Sequence, residues 1–586
     1  MCGIFGVIKP ELPDRSQVET ACLSLSHRGP NDSGLLFDLS QGIALGHRRL
    51  SIIDLSADGH QPFFSADSRY VIVFNGEIYN YLEIREELKN FYNFKTKTDT
   101  EVLLASYIKW GESCLQKFNG MFAFAIWDKV ERKLFCARDR LGIKPFYYHF
   151  YAGDLYFSSE IKALLKVGVK PKVNEKVVFE YLYYGFYDHS DDTFFSGIKT
   201  LSPGHYLLWQ NERIAISKYW DLADKQVDYT NLSEQEAIDK LSVLLEDSIK
   251  LRFRSDVPVG LNLSSGLDSN SLYYYALKIT GHDLHTFSIC LESGEYNECD
   301  LISDLLTPAN KTFWHSHYID PPDLLAATRD MNIIQDQPYG GIPTISYKNL
   351  IELSDKEHVT VLLEGQGVDE ILAGYPYYQV DYDKDKKGIV GMGSLVLGQD
   401  KTKLINADIL STVFKDQYKN HELFFPQPFK SSLLNAQYRD IRYTKLPRVL
   451  RFNDHVTMHF GKELRLPFLD YRIVEFCFFL PPELKLNNET QKYILRKLME
   501  GVVPQETRDR KKKVFGAIQT EWFRKYYKDI IYSILSSDSF RQRGYWDYQK
   551  LMQEVDNFYQ GKLENSFFIW QCLNLEVWLN NFMDYK

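Results

Sequence analysis

The chain has 586 residues, of which 44% are hydrophobic and 25% are charged, and its formal net charge is −9. This length exceeds what one hydrophobic core usually supports, so it predicts at least two domains. The negative charge disfavours bulk attraction to nucleic acid, and no uninterrupted apolar stretch reaches the roughly 18 residues of a membrane span.

Short strands are predicted to dominate residues 1–208. Apolar and aromatic runs alternate with turn signals at Val71–Phe74, Met121–Trp127, Leu134–Ala137, Phe146–Tyr151 and Leu155–Ser158. This spacing predicts an antiparallel, sheet-rich domain. Residues 209–233 are more polar and are predicted to be a linker, after which Ser233 is expected to cap a helix.

Strand and helix signals alternate over residues 234–586. Buried strands are expected at Val257–Leu263, Thr286–Cys290 and Val359–Leu363, separated by amphipathic segments of helix length. This order predicts an α/β domain with a parallel sheet, whose ligands gather at the carboxyl ends of the strands. Residues 381–440 are expected to be a mobile insertion over that site.

The cysteines and the first residues bear on the compartment. Eight cysteines are scattered without CxxC pairs, which favours reduced thiols over a disulfide framework or a zinc site. Met1–Arg15 contains two prolines and two acids, and it does not fit a secretory signal. We therefore expect a cytoplasmic protein whose first residues belong to the folded domain.

Cys2 is the first candidate catalytic residue. Removal of Met1 would give Cys2 a free α-amine beside its thiol, and an α-amine with an ordinary pKa of roughly 8 can act as the base for that thiol. A cysteine at position 2 is usually an accident, so the neighbouring sequence must decide. Five strings follow in order: Cys2–Gly6, His27–Pro30, His47–Ser51, Phe74–Asn80 and Thr98–Glu101.

These five strings resemble the glutaminase domain of class II glutamine amidotransferases, the amino-terminal-nucleophile type. The resemblance covers residues 1–208 and implies an antiparallel β-sandwich. It implies that Cys2 is the nucleophile, and that Asn75 and the Gly76 amide stabilise the oxyanion. For the substrate glutamine, it implies that Arg49 binds the α-carboxylate, that Asp99 binds the α-ammonium group and that Glu77 lies near the amine.

A second informative string is SDVPVGLNLSSGLDS, at Ser255–Ser269. A strand, a turn of small residues and a helix in this order aim backbone N–H groups at phosphates. The Walker motif GxxxxGK[ST] is absent. The turn could be an ordinary serine-rich turn, but it resembles the pyrophosphate loop, usually SGGLDS, of enzymes that split ATP into AMP and pyrophosphate.

Later strings extend this resemblance to the end of the chain. They are Gly365–Glu370, Leu464–Asp470, Lys492–Arg496 and Arg510–Lys513. Behind a class II glutaminase, they resemble glutamine-hydrolysing asparagine synthetase. The resemblance implies ATP, Mg²⁺, glutamine and a carboxylate acceptor, with aspartate the expected acceptor and an acyl-adenylate as intermediate.

The resemblance also assigns residues to the ATP site. Mg²⁺ would bind Asp268 and Asp369, since this hard cation prefers carboxylate and phosphate oxygen. ATP would contact Asn262, Ser264, Ser265, Gly266, Asp268, Ser269, Ile289, Glu364, Gly365 and Lys492.

Four residues depart from the family pattern. Ser265 replaces the second glycine of the loop, Gln366 replaces the usual glutamate, Glu364 replaces a small residue, and His455 replaces an arginine. Glu364 could compensate for Gln366 as the acceptor-side base. Alternatively, the acceptor is another carboxylate, such as a uronic acid sugar or a natural-product acid.

Two further classes of protein are compatible with these strings. The chain could be a binding or regulatory homologue without turnover. A β-lactam-forming relative would also keep the synthetase half, but it would carry a dead glutaminase, which Cys2 disfavours. The sequence also leaves the oligomeric state open, a homodimer included.

Overall fold

A computed structural model describes residues 2–281, 284–291, 298–388, 406–510 and 516–584. Its first part contains antiparallel strands and a few helices. The strands are β1 Gly3–Ile8, β2 Asp32–Asp38, β3 Ile43–Arg49, β4 Phe63–Phe64, β5 Tyr70–Ile78, β6 Gly120–Asp128, β7 Lys133–Arg138, β8 Tyr147–Tyr151, β9 Asp154–Ser158, β10 Ile198–Thr200, β11 His205–Gln210 and β12 Arg213–Lys218. The helices are α1 Arg15–Leu23, α2 Tyr81–Leu88, α3 Asp99–Trp110, α4 Ile161–Lys166 and α5 Glu175–Tyr184.

These strands form a sandwich of two six-stranded sheets, in the orders β10-β8-β9-β1-β3-β2 and β12-β11-β7-β6-β5-β4. A buried apolar cluster lies between the sheets, with Ile4 and Leu45 on one side and Val73 and Trp127 on the other. The alternation of inward and outward side chains in each strand produces this packing. The predicted antiparallel sandwich is confirmed, although β12 lies within residues 209–233, where we predicted a linker.

The second part contains a parallel sheet surrounded by helices. Its strands are β13 Val259–Asn262, β14 Thr286–Cys290, β15 Trp314–Tyr318, β16 Val361–Leu363, β17 Glu463–Arg465, β18 Leu486–Asn487 and β19 Thr490–Gln491. Its helices are α6 Glu234–Arg252, α7 Leu267–Thr280, α8 Cys299–Leu305, α9 Pro308–Lys311, α10 Leu324–Gln335, α11 Ile342–Lys356, α12 Val368–Ile371, α13 Tyr378–Lys386, α14 Thr412–Gln417, α15 Ser432–Arg439, α16 Leu446–His459, α17 Tyr471–Phe478, α18 Pro482–Lys485, α19 Tyr493–Leu498, α20 Gln505–Asp509, α21 Gly516–Tyr526, α22 Lys528–Leu535, α23 Asp538–Gln542, α24 Tyr548–Tyr559 and α25 Phe567–Phe582.

The parallel sheet has the order β15-β14-β13-β16-β17, so the predicted α/β architecture is also confirmed. The strand order reverses around β13, which opens a crevice at the carboxyl ends of β13, β14 and β16. Helix α6 begins with the expected cap. The Ser233 side chain accepts from the Glu236 amide, and the Glu236 side chain accepts from the Ser233 amide. Strands β15 and β17 were not predicted, because both are short and rich in polar residues.

Three further observations bear on the sequence predictions. The sulfurs of Cys290 and Cys299 are joined, with their Cα atoms 5.6 Å apart, which contradicts the expectation that all eight thiols are reduced. Of the expected insertion 381–440, residues 389–405 lie outside the described part, and helices α14 and α15 lie within the rest. Among described residues, none of the helices is long and apolar enough to cross a membrane.

Candidate active sites

Cys2 lies immediately before β1 and is held against strand β5 of the other sheet. Its backbone N–H donates to Asn75 Oδ1 on β5 over 2.9 Å. Asn75 is fully buried, and its Nδ2 has no hydrogen-bond partner among the residues that the structure describes. An orphaned buried donor is costly, so this amide nitrogen is available for a ligand oxygen beside the thiol.

The Cys2 thiol is itself buried. Burial raises its pKa, while a hydrogen bond from the Leu50 amide and the nearby Arg49 charge act in the opposite direction. Gly76 follows Asn75 on the same strand with φ +154°, and a Cβ at this position would lie 2.1 Å from the Met121 carbonyl oxygen. Only glycine fits this close approach of β5 and β6.

One small cavity brings together Cys2, Arg49, Gly76, Glu77 and Asp99. Arg49 is fixed at its edge, because Nη1 donates to the Ser56 carbonyl over 2.7 Å and Nη2 donates to the Asp54 carbonyl. Every glutaminase residue predicted from sequence thus lies in this cavity or, for Asn75, hydrogen-bonded at its wall.

Two acids give this cavity a negative wall. Asp99 begins α3 and accepts from the Ile78 amide over 2.9 Å. Burial, assisted by the negative charge of Glu463, raises the pKa of Asp99 to about 6. Burial likewise raises the pKa of Glu77, together with the charges of Glu463 and Asp99. Buried carboxylates without enough positive charge favour a cationic ligand.

A second cavity, of about 470 Å³, lies at the carboxyl ends of β13, β14 and β16. Its volume is in the range of nucleotide and drug-sized sites. All predicted synthetase residues line it: Asn262, Ser264, Ser265, Gly266, Asp268, Ser269, Ile289, Glu364, Gly365, Gln366, Asp369 and Lys492.

The Lys492 ammonium group sits between the two predicted metal ligands. Lys492 Nζ lies 2.7 Å from Asp268 Oδ2 and 2.7 Å from Asp369 Oδ1. These two charges raise the pKa of Lys492 despite its burial. Gly374 permits this approach, because a Cβ there would lie 2.1 Å from Asp369 Oδ1. Two carboxylates that converge on one cation offer the oxygen ligands that Mg²⁺ prefers.

Comparisons with known proteins agree with this division into two sites. Residues 1–220 match the glutamine amidotransferase domain family, and residues 240–580 match the asparagine synthase family. The chain is 31% identical to asparagine synthetase [glutamine-hydrolyzing] 1 of Bacillus subtilis, over 99% of this chain and 96% of that protein. It is also 31% identical to asparagine synthetase 3 of the same organism, over 87% of this chain and 86% of that protein. The chain belongs to the glutamine-hydrolysing asparagine synthetase family.

Membership of this amidotransferase ligase family makes ATP and glutamine its substrates. It also means that Glu364 and Gln366 depart from the pattern of the chain's own family. Glu364 Oε1 accepts from Asn262 Nδ2 over 2.5 Å and from the Tyr347 hydroxyl over 2.6 Å. Its Oε2 accepts from Asn453 Nδ2 over 3.1 Å, and the Gln366 amide also donates to this carboxylate. Burial raises the pKa of Glu364, while these neutral donors lower it.

Another departure from the family pattern, His455, lies at the boundary between the two domains. The ring is fully buried, its Nδ1 lies 2.9 Å from the Ile334 carbonyl, and burial lowers its pKa to about 4. Next to it, Asp454 binds Arg28 of the glutaminase domain over 2.9 Å and Lys144 over 3.3 Å. An arginine at position 455 would add a third cation beside Asp454, whereas the neutral His455 imidazole leaves the local charge unchanged.

The asparagine synthetase site also contains residues to which the sequence analysis assigned no role. Glu298 Oε2 accepts from the Ser265 amide over 3.0 Å, so one N–H group of the pyrophosphate-loop turn already donates to a carboxylate. Arg496 and Arg510 line the same cavity. The string KYILR ends in Arg496, so the sequence did offer a signal for this residue. Glu298 is 33 residues from Ser265 in sequence, and no motif linked the two.

Arg465 of β17, in the string Leu464–Asp470, is a further residue to which the sequence analysis assigned no role. It is fully buried, forms a hydrogen bond with Glu463 over 2.5 Å, and lies 3.6 Å from Glu77 in the glutaminase cavity. Glu463 influences the pKa values of Cys2, Glu77 and Asp99. The end strand of the synthetase sheet therefore contacts Glu77, a residue that lines the thiol cavity.

Proposed function

We propose that this protein converts aspartate to asparagine with ATP and with ammonia that it takes from glutamine. The observation that supports this most strongly is that one buried residue, Arg465, contacts a lining residue of each cavity, Glu77 and Glu364. A shared contact of this kind suits a chain in which the product of one site is the reactant of the other.

In the glutaminase site, we infer that Met1 is removed and that the α-amine of Cys2 takes the thiol proton. The thiolate attacks the glutamine carboxamide, and Asn75 Nδ2 and the Gly76 amide donate to the oxyanion. Ammonia leaves, and water hydrolyses the thioester to glutamate. Arg49 binds the α-carboxylate of the substrate, while Asp99 and Glu77 surround the α-ammonium group.

In the synthetase site, we infer that the turn at Ser264–Ser269 and Lys492 hold the ATP phosphates. Asp268 and Asp369 would hold Mg²⁺, which would neutralise phosphate charge. The acceptor carboxylate attacks the α-phosphorus, so that pyrophosphate leaves and an acyl-adenylate forms. Ammonia then displaces AMP to give the amide. This chemistry needs ATP and free glutamine, so we assign the protein to the cytoplasm.

Ammonia must cross between the cavities without meeting bulk water, which would protonate it. Buried contacts of Glu77 and Glu364 with Arg465 support a crossing along the end of β17, beside the interface where Arg28 binds Asp454. A route within packed protein keeps the nucleophile unprotonated.

An acceptor panel tests the proposal. Purified protein is supplied with ATP, Mg²⁺ and ammonium chloride, and AMP and pyrophosphate are measured with aspartate, with a uronic acid sugar and with other carboxylic acids. Aspartate should give AMP and asparagine in equal amounts. AMP formation with another acid and none with aspartate would favour the altered acceptor suggested by Gln366, and no AMP with any acid would overturn the proposal.

A further inference from the structure

A third cavity, of about 640 Å³, lies between the two domains and shares no lining residue with either active-site cavity. Residues 138–221 of the glutaminase domain form one side, and residues 337–451 of the synthetase domain form the other. Its volume is sufficient for a small metabolite. A molecule bound here would contact both domains at once.

A π-helical turn, Asp440–Thr444, places Arg442 in the wall of this cavity. Single π turns occur frequently at functional sites. Arg442 forms no ion pair with a described residue, and its one described hydrogen-bond contact is His205 Nδ1 at 3.4 Å. That nitrogen lies 2.8 Å from the Pro203 carbonyl, to which it donates, so it cannot also accept from Arg442. The guanidinium group therefore has donors to spare.

Arg138 adds a second guanidinium group to this part of the wall. Its donors go to the carbonyl groups of Lys144, Leu201 and Gly142 and to the Thr200 hydroxyl, none of which carries negative charge. Neither Arg138 nor Arg442 forms an ion pair with a described carboxylate, although Asp139 and Asp191 act on Arg138 at longer range. An anionic group of a ligand would supply the missing charge.

Asp191 lines the same cavity and shows the opposite imbalance. Its carboxylate accepts from the Ser202 hydroxyl and forms no ion pair within the described part of the chain. Asp191 and Arg442 both act on His205: burial lowers the pKa of this imidazole, Arg442 lowers it further, and Asp191 raises it. The Asp191 carboxylate and the Arg442 guanidinium group thus both line this cavity near the His205 ring, and they form no ion pair with each other.

A polar group lies elsewhere in the wall. His189 is 6% exposed, and its Nδ1 has no hydrogen-bond partner among the residues described. Its Nε2 lies 3.2 Å from Glu180 Oε2, and Glu180 Oε1 is 2.8 Å from His421 Nε2. A buried nitrogen without a partner favours a polar ligand atom at that position.

We propose that this cavity binds a free α-amino acid, with its carboxylate on Arg442 and its ammonium group on Asp191. A zwitterion carries both missing charges in one small molecule, so it satisfies the acid and the base together. A polar side chain, such as a carboxamide, offers both a donor and an acceptor to the pair of His189 and Glu180. The proposed site uses no lining residue of either active-site cavity, so this proposal does not depend on the proposed reaction.

Binding is tested with L-asparagine as the probe. The full-length protein is first treated with 6-diazo-5-oxo-L-norleucine, which blocks Cys2 and the glutamine pocket, and is then titrated calorimetrically. Arg442→Gln and Asp191→Asn should each raise the Kd at least about tenfold, because each removes a charge-assisted hydrogen bond. Succinamate, which is asparagine without its ammonium group, should bind the blocked protein of unchanged sequence with a similarly raised Kd.

Arg213→Gln is the matched control, since Arg213 is an exposed arginine on β12 and should leave the Kd unchanged. Unchanged glutaminase activity in each variant, measured before the norleucine treatment, verifies folding. The proposal is overturned if the protein of unchanged sequence, after the norleucine treatment, binds none of L-asparagine, L-aspartate, L-glutamate and L-glutamine. It is equally overturned if Arg442→Gln binds them with the affinity of Arg213→Gln.

Discussion

The backbone N–H of Glu364 donates to the carbonyl oxygen of Arg465 over 3.1 Å. The guanidinium group of the same Arg465 lies 3.6 Å from Glu77. The main chain of one residue thus contacts a residue that lines the nucleotide cavity, while its side chain contacts a residue that lines the glutamine cavity. Because Arg465 is fully buried and tied to Glu463, a displacement at either cavity would be transmitted to the other through packed atoms.

Replacement of the nucleophile should separate the two half-reactions. Cys2→Ala should abolish glutamine-dependent amidation and leave ammonia-dependent amidation largely intact, because only the nitrogen source is lost. The measurement is asparagine formation with glutamine and with ammonium chloride. Cys22→Ala, at a buried cysteine on α1 in the same domain, is the control and should retain both activities. Equal loss of both in Cys2→Ala would contradict the two-site scheme.

The pH dependence of glutamine use should report Asp99. Its pKa in the free protein is raised to about 6, so the carboxylate that pairs with the α-ammonium group is lost as the pH falls through this value. The kcat/KM for glutamine hydrolysis should therefore decrease as the pH falls, with an inflection at this pKa in addition to the one that protonation of the Cys2 α-amine produces. An inflection near the ordinary aspartate value of about 4 would show that Asp99 is not required in its ionised form.

The acids around Lys492 should control ATP cleavage alone. Asp268→Asn or Asp369→Asn removes one negative charge from the proposed metal site, so AMP formation should fall by at least about a hundredfold while glutamine hydrolysis persists. Asp239→Asn, at an exposed position on α6, is the matched control. ADP, in place of AMP, as the product of the unmodified protein would exclude this assignment of the site.

The sequence allowed both folds to be predicted, because each has a local signal. Short apolar and aromatic runs mark strands such as β5 and β6, and Ser233 with Glu236 marks the start of α6. Motif strings also predicted which side chains gather, since Asn75 and Gly76 are neighbours on β5 and one short turn holds Ser264 against Ser269. These contacts depend on backbone geometry over a few residues.

Contacts between distant segments could not be predicted in this way. The contact of Arg465 with Glu77 and the effect of the Glu463 charge on Glu77 depend on how two domains pack, and no periodicity encodes them. The contact of Glu298 with Ser265 and the joined pair of Cys290 and Cys299 depend on the path of a connection after β14. The hairpin partner of β11 was missed because β12 is largely exposed and polar, like a linker.

Glu298 should weaken ATP binding. Its carboxylate occupies the Ser265 amide, an N–H group of the turn that is proposed to receive phosphate, and it places negative charge near the phosphates. Glu298→Gln should therefore lower the KM for ATP, by several-fold if one charge-assisted hydrogen bond is in competition. Glu352→Gln, on the outer face of α11, is the control and should leave this KM unchanged. An increased KM in Glu298→Gln would show that Glu298 assists the nucleotide.

The pair formed by Glu364 and Gln366 provides the sharpest test of the acceptor side. The two side chains hydrogen-bond to each other, with one carboxylate and one amide between them. Glu364→Gln removes the only negative charge of the pair and leaves the donors of Asn262, Tyr347 and Asn453 facing a neutral group. The amidation rate should fall at least about tenfold, since general-base assistance is typically worth roughly 10²–10⁴-fold.

Gln366→Glu creates the opposite problem, because two buried carboxylates then share one hydrogen-bond network. One of them must take up a proton, so activity should decrease and become dependent on pH. The exchanged double variant, Glu364→Gln with Gln366→Glu, restores one acid and one amide, and it places the acid where the family usually carries it. Its amidation rate, measured with saturating ammonia and aspartate, should exceed that of either single variant. If the double variant is no better than the worse single variant, the position of the charge matters more than its presence, and Glu364 has a role that no group at position 366 can replace.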